Sequence, residues 1–287
     1  MTSHESVIIT STEWMRRFVA ARRAEGRRIA FVPTMGYLHG GHLSLVEKAS
    51  SLADCIIVSI FVNPTQFGPN EDLDRYPRDL DGDLQKLSGY PVQAVFCPAV
   101  TELYPAGFQT SIHVERVSAP LCGASRPGHF AGVATVVLKL FNIVRPDLAV
   151  FGLKDYQQFQ VIRTMVRDLD VPVEVVGCEI VRESDGLAMS SRNVFLTPDQ
   201  RVAAVILHHS LEDAATEIGA RRLVRASEVE RFLSQRIAAE PLARIDYVSC
   251  RDAASLESVD ALEAPVVLAL AVFFGHTRLI DNRVISV

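Results

Sequence analysis

The chain has 287 residues, 48% of them hydrophobic, and a formal net charge of −5 at pH 7. That is enough for one large or two modest domains with a sizeable core, and the acidic balance argues against a general affinity for nucleic acid. The five cysteines (Cys55, Cys97, Cys122, Cys178, Cys250) are scattered, without a zinc spacing or a disulfide framework, which suits a reducing compartment such as the cytoplasm.

The N-terminus is polar, with no signal-peptide core. Thr10-x-x-Glu13 predicts a capping box, with Trp14, Phe18 and Ala21 at helical spacing and Gly26 as the stop. The cluster Arg16, Arg17, Arg22, Arg23, Arg27 and Arg28 reads as a solvated helix face. A buried strand is expected over 29–32, a glycine-containing turn after it, and a helix over 42–53. Residues 55–62 form an unbroken apolar run, the mark of a strand buried on both faces of a parallel sheet. A polar loop over 63–79 and a weak helix near 79–88 follow, then a strand over 92–97. Residues 130–144 are apolar almost all round and read as a buried helix. A strand over 147–151, an amphipathic helix over 155–169 and a strand over 173–181 complete the alternation. This βα rhythm predicts a Rossmann-like doubly wound α/β sheet over residues 1–183.

Beyond that point the texture changes. Thr197-Pro198-Asp199-Gln200 opens a long helix to about Gly219, and a second helix starts at Ser227-x-x-Glu230. Strands are expected over 245–250 and 266–274. Helices followed by strands predict a smaller α+β domain over 184–287 that acts as a lid. The longest apolar run, Ala264 to Gly275, falls short of the roughly 20 residues of a membrane span.

Ligands of open α/β sheets bind beyond the carboxyl ends of the strands. Past the first of these ends lie Met35, Gly36, Tyr37, Leu38, His39, Gly40, Gly41 and His42. A strand, a turn and a helix N-terminus offer backbone N–H groups to a phosphate. His39 and His42, three apart, would form a clamp for a polyphosphate; no Cys, Asp or Glu stands close enough in sequence to complete a metal site. Past the second end lie Asn63 to Gly68, past the third Gly152, Leu153, Lys154, Asp155 and Gln158, and past the last Met189, Ser190, Ser191 and Arg192. Lys154 suits charge building on an α-phosphate, and Asp155 suits ribose hydroxyls or a helix start. Ser190, Ser191 and Arg192 suit phosphate oxygens. Gln66, Gln158 and Asn63 suit a polar, hydroxylated small substrate. Asp79, Asp81 and Asp83 read as a solvated helix start, with a Mg²⁺ role as the alternative.

Six stretches carry a specific resemblance: Pro33–His42 with its HxGH element, Ser59–Gly68, Asp72–Arg78, Arg126–Phe130, Phe151–Gln158 and Asp185–Asn193. In this order they resemble the pantoate–β-alanine ligase family of HxGH nucleotidyltransferases. The resemblance implies attack of a pantoate carboxylate on ATP to give pantoyl adenylate and pyrophosphate, then displacement of AMP by β-alanine. It also implies an ATP site built from Met35 to His42, Gly152 to Asp155, Val181 and Met189 to Arg192. Gln66 and Gln158 would hold pantoate, His42 would be the proton donor, and Mg²⁺ and a homodimer are expected. Leu153 stands where the family usually has Glu, and Tyr37 and Gly40 replace the commoner Ala and Glu. The rival reading is another adenylyl- or cytidylyltransferase with the same element.

Overall fold

The computed structural model describes residues 6–69, 71 and 73–286. The polar start of the chain and Asp72 lie outside the described residues. The first part of the chain runs β1 (Val7–Ile9), α1 (Thr12–Ala24), β2 (Ile29–Thr34), α2 (Gly40–Ser50), β3 (Cys55–Ile60), α3 (Leu80–Leu87) and β4 (Val92–Phe96). Three short helices follow, α4 (Val100–Leu103), α5 (Glu115–Ser118) and α6 (Cys122–Ser125). Then come α7 (His129–Val144), β5 (Leu148–Gly152), α8 (Tyr156–Asp168) and β6 (Glu174–Cys178).

The six strands form one sheet in the order β1-β4-β3-β2-β5-β6, with every pairing parallel. Strand β2 shows why these sequences are apolar throughout. Ile29 and Phe31 join the core under α1, α7 and α8, while Ala30 and Val32 join the opposite core under α2 and α3. Helix α7, apolar on nearly every side, is buried against the first of these cores. The strand order reverses at β2, whose neighbours are β3 and β5. That pair of strand ends, β2 and β5, is the switch point at which such sheets bind ligands.

The remainder comprises α9 (Pro198–Ala203), α10 (Ile206–Gly219), α11 (Ala226–Ala238), β7 (Ala243–Asp252), β8 (Val266–Phe274) and β9 (Thr277–Ile285). The three strands form an antiparallel sheet, β7-β8-β9. Leu268, Leu270 and Val272 of β8 pack with Leu211 of α10 and Leu233 of α11, while Val267 reaches the core of the parallel sheet. Strand β8 is thus apolar because both its faces are covered.

Several expectations shift. Ser11, not Thr10, caps α1, so Met15 and Val19 take the buried face and Trp14 is exposed. Strand β1 is a three-residue edge strand, too short to show a period. The 173–181 strand ends at Cys178, because its one partner, β5, ends at Gly152. The helix opening at Thr197 breaks after Ala203 and resumes at Ile206. Helix α11 starts at Ala226, with Glu228 rather than Glu230 closing its capping box. Strand β9 lies beyond the expected strands, because Arg278, Asp281, Asn282 and Arg283 interrupt its apolar residues. The arginine cluster is solvated as expected, and Arg17, Arg22, Arg23, Arg27 and Arg28 all engage acidic partners.

Candidate active site

The turn after β2 is shaped from below. Gly36 has φ +81°, and a Cβ there would lie 2.9 Å from Ile60 and 3.1 Å from the Asp83 carboxylate. Tyr37 follows at φ 52°, a conformation that costs a non-glycine residue energy. Asp83 holds it in place. Only 1% exposed, its carboxylate accepts the backbone N–H of Tyr37 at 2.7 Å and of Leu38 at 2.6 Å. Asp83 is therefore neither solvated nor placed to hold Mg²⁺, and Asp79 caps α3. The amides of Tyr37 and Leu38, expected to face a phosphate, face Asp83, and Leu38 is core.

His39 lies just outside the helix, as the N-cap of α2. Its Nδ1 accepts the Gly41 N–H at 3.1 Å, and Nδ1 of His42 accepts the His39 N–H at 3.3 Å. The two imidazoles thus close a reciprocal capping box. The rings stand 4.2 Å apart. Burial and the neighbouring Lys154 cation push His39 down to about 4. Burial, then His39 and Lys154, push His42 down to about 3. Both rings are neutral at pH 7. With each Nδ1 accepting, each remaining proton sits on Nε2. Each ring therefore keeps one N–H donor. A protonated His42 acting as acid does not fit this environment.

A cavity of about 210 Å³ opens at the switch point. Met35, His39, Gly41, His42, Asn63, Gln66, Gly152, Lys154, Asp155, Gln158, Val181, Met189, Ser190, Ser191 and Arg192 line it. Of the expected residues, Gly36, Tyr37, Leu38, Gly40 and Leu153 do not. Gly40 instead makes room for Met189, whose Sδ would lie 2.9 Å from an added Cβ. Leu153 packs into the core beside Gly177. A wider cleft of about 710 Å³, running toward β8 and β9, shares Lys154, Asp155, Gln158, Ser190 and Arg192.

Lys154 and Asp155 occupy a single 3₁₀ turn leaving β5, with Nζ 3.7 Å from the Asp155 carboxylate. The depth of the cleft opposes ionisation of Asp155, but Lys154 and Arg192 outweigh it and hold the carboxyl below its usual range. Arg192 stands 5.8 Å above the Tyr76 ring. Gln66 sits on a one-turn 3₁₀ helix after β3, donating to Met35 Sδ and accepting from Asn63 at 3.1 Å. Asn63 spends its groups on the scaffold, with Tyr104, Thr65, Gln66 and Gly132 as partners, and so positions Gln66.

Sequence reasoning assigned no role to His129, Arg126 and Glu71. His129, pushed down to about 4 by burial and by Arg126, lies 2.8 Å through Nδ1 from the Gln66 carbonyl. Its Nε2 faces Arg126 at 3.1 Å, so Nδ1 carries the proton and donates. Arg126 grips Glu71 with two bonds of 2.6 Å. These residues fix the Gln66 backbone. Arg126 and His129 lie in one of the six stretches that carry the resemblance, which is the signal that could have found them, whereas nothing in the local pattern marks Glu71.

Neutral imidazole donors and a fixed cation line one cavity, an arrangement suited to charge developing on a phosphate, as in nucleotidyl transfer. The chain belongs to the pantoate–β-alanine ligase family, whose description matches residues 7–284. It is 55% identical over 273 residues to the pantothenate synthetase of Moorella thermoacetica, covering 95% of this chain and 96% of that one. Among solved structures it resembles pantothenate synthetase from Thermus thermophilus, with TM-score 0.91, 44% identity and coverage of 96% and 98%. It also resembles the Francisella tularensis pantoate–β-alanine ligase complexed with β-γ ATP and β-alanine, with TM-score 0.77, 34% identity and 97% coverage of each chain. The chain is accordingly a ligase. Among the described residues, no helix is long and apolar enough to cross a membrane.

Proposed function

We propose that the chain joins pantoate and β-alanine to pantothenate at the expense of ATP, with the cavity at the switch point as the adenylation site. In the first step a pantoate carboxylate oxygen attacks the α-phosphorus and the bond to the β-phosphate oxygen breaks. Pyrophosphate leaves, and pantoyl adenylate remains. In the second step the amine nitrogen of β-alanine attacks the acyl carbon. The carbon–oxygen bond to phosphate breaks, AMP leaves, and the amine proton passes to solvent.

The observation that carries the reading is the convergence of His39, His42 and Lys154 on one cavity. The two Nε2–H donors and the ammonium stabilise charge on the phosphate oxygens as the attacking oxygen closes. Asp155 accepts from the ribose, and Ser190, Ser191 and Arg192 hold phosphate oxygens. Gln66 and Gln158 hold the pantoate hydroxyls and carboxylate. No group of three or more His, Cys, Asp or Glu among the described residues could cage a metal ion. Mg²⁺ therefore fits as part of the substrate, carried on the triphosphate oxygens. Residues 184–287 act as a lid domain on residues 1–183. A homodimer in the cytoplasm is the working form, a reading carried by the family likeness.

Pyrophosphate release from ATP is the test. It should require pantoate and not β-alanine, and β-alanine should then convert the retained adenylate to pantothenate. Release that requires a phosphate ester instead of pantoate would make the chain a simple nucleotidyltransferase.

A further inference from the structure

Neither the 3₁₀ turn Leu153–Asp155, which carries Lys154, nor the start of α8 has a side-chain cap, and Leu153 alone anchors the turn in the core. A 3₁₀ turn bonds poorly within itself, so its outward carbonyls need partners. A cation is also disfavoured at a helix N-terminus. The partner comes from the other sheet. Nδ2 of Asn282, on β9, donates to the Leu153 carbonyl at 3.0 Å and to the Lys154 carbonyl at 2.8 Å. Only the amide nitrogen can face two carbonyls, so the orientation of the side chain is fixed.

Asn282 is itself held. It is 6% exposed, it pairs with Ala269 in the antiparallel sheet, and its N–H donates to Asp281 at 2.8 Å. Asp281, 1% exposed at its side chain, receives both arms of Arg182 at 2.7 and 2.9 Å. Arg182 bridges Ala188, and Met189 and Ser190 follow at once. Two adjacent residues of β9 therefore grip both the Lys154 turn and the arm that supplies Ser190 to Arg192.

We propose that Asn282 is a positioning residue for the adenylation step, setting the place of Lys154 through the two carbonyls of its turn. The proposal rests on the role given to Lys154 above. Asn282 lines the wider cleft but not the inner cavity, and its link to the inner site is the pair of bonds to the lysine turn. A cation displaced by about 1 Å loses on the order of 10²-fold in rate, and Asn282→Ala should lower single-turnover pyrophosphate release by about 10–100-fold. The interaction serves the transition state, so the KM for pantoate should move by less than about twofold.

A double-mutant cycle decides the matter. Lys154→Ala should itself lose about 10³-fold. Adding Asn282→Ala to it should then cost no more than about twofold, because the group it positions is gone. If the alanine variant does not accumulate as folded protein, Asn282→Ser, with one donor in place of two, enters the same cycle. Equal losses in both backgrounds, or no loss from Asn282 alone, would overturn the positioning role and leave that of Lys154 standing. A full rate in Lys154→Ala would overturn both.

Discussion

His39 and His42 each do two jobs, and the jobs can be separated. Through Nδ1 they cap α2, and both rings line the cavity. Asn is a good N-cap that cannot reach as an imidazole does. His39→Asn should keep stability and lose about 10²–10³-fold in adenylation, whereas His39→Ala should lose about 1 kcal/mol of stability as well. Urea titration beside single-turnover kinetics distinguishes the two variants. The pH dependence follows from the environment. With His39 at about 4 and His42 at about 3, the adenylation rate should show no limb near 6.5 and should stay flat from pH 8 to about 5. Stability behaves differently. Unfolded imidazoles take protons near 6.5 while the folded ones refuse them, so stability is full above about 6.5 and falls as pH drops below it. His42→Gln should flatten that decline in urea midpoints measured from pH 7 to 5. The HxGH spacing revealed the pair, but not the neutral state, which depends on burial that local sequence does not show.

The turn between β2 and α2 depends on an element forty-odd residues away. Asp83→Ala leaves two buried N–H groups, those of Tyr37 and Leu38, without an acceptor. The expected loss is about 2–5 kcal/mol, read as a lower urea midpoint, with slower adenylation although Asp83 does not line the cavity. Helix α7 gives a second test. A Cβ on Gly132 would lie 2.3 Å from the Thr65 carbonyl oxygen and 2.7 Å from the Gln66 nitrogen. These are backbone atoms, so the turn carrying Gln66 must move. Gly132→Ala should raise the KM for pantoate about 10-fold and leave that for ATP nearly unchanged, in initial-rate measurements. Strands β2, β3 and β5 and the residues just past them were legible because apolar runs and strand ends are local signals. Asp83 was not, since an acid that starts a helix looks the same whether solvent or a distant turn receives it. Asn63 was legible as a polar residue at the site, yet its role as scaffold depends on Tyr104 and Gly132, which only the fold brings near.

At the scale of the molecule, residues of both sheets line the cleft proposed to hold the reaction. Acyl adenylates hydrolyse when water reaches them, so the site must stay closed between the half-reactions. Met189 already lies against Gly40, and Ser191 reaches the Tyr37 carbonyl at 3.4 Å. Arg192 on this arm is expected to retain the adenylate as well as bind ATP. Arg192→Ala should therefore raise the ratio of AMP to pantothenate above one when all substrates are present. A ratio that stays at one with a slower overall rate would leave Arg192 as an ATP contact alone. The change of texture near residue 183 pointed to a second α+β unit. The grip of β9 on the Lys154 turn left no trace in the sequence, because an Asn in a strand carries no mark of its partner.

That grip also orders events in time. Asn282 and Lys154 are 128 residues apart. On the ribosome, every strand of the parallel sheet emerges before β9 is made. The lysine turn therefore stays unbraced until after the strands of the parallel sheet have been made. Catalytic competence would then arrive as a late, separate event in synthesis, after the bulk of the fold has formed. A half-made enzyme that bound ATP would commit it to a labile adenylate only slowly.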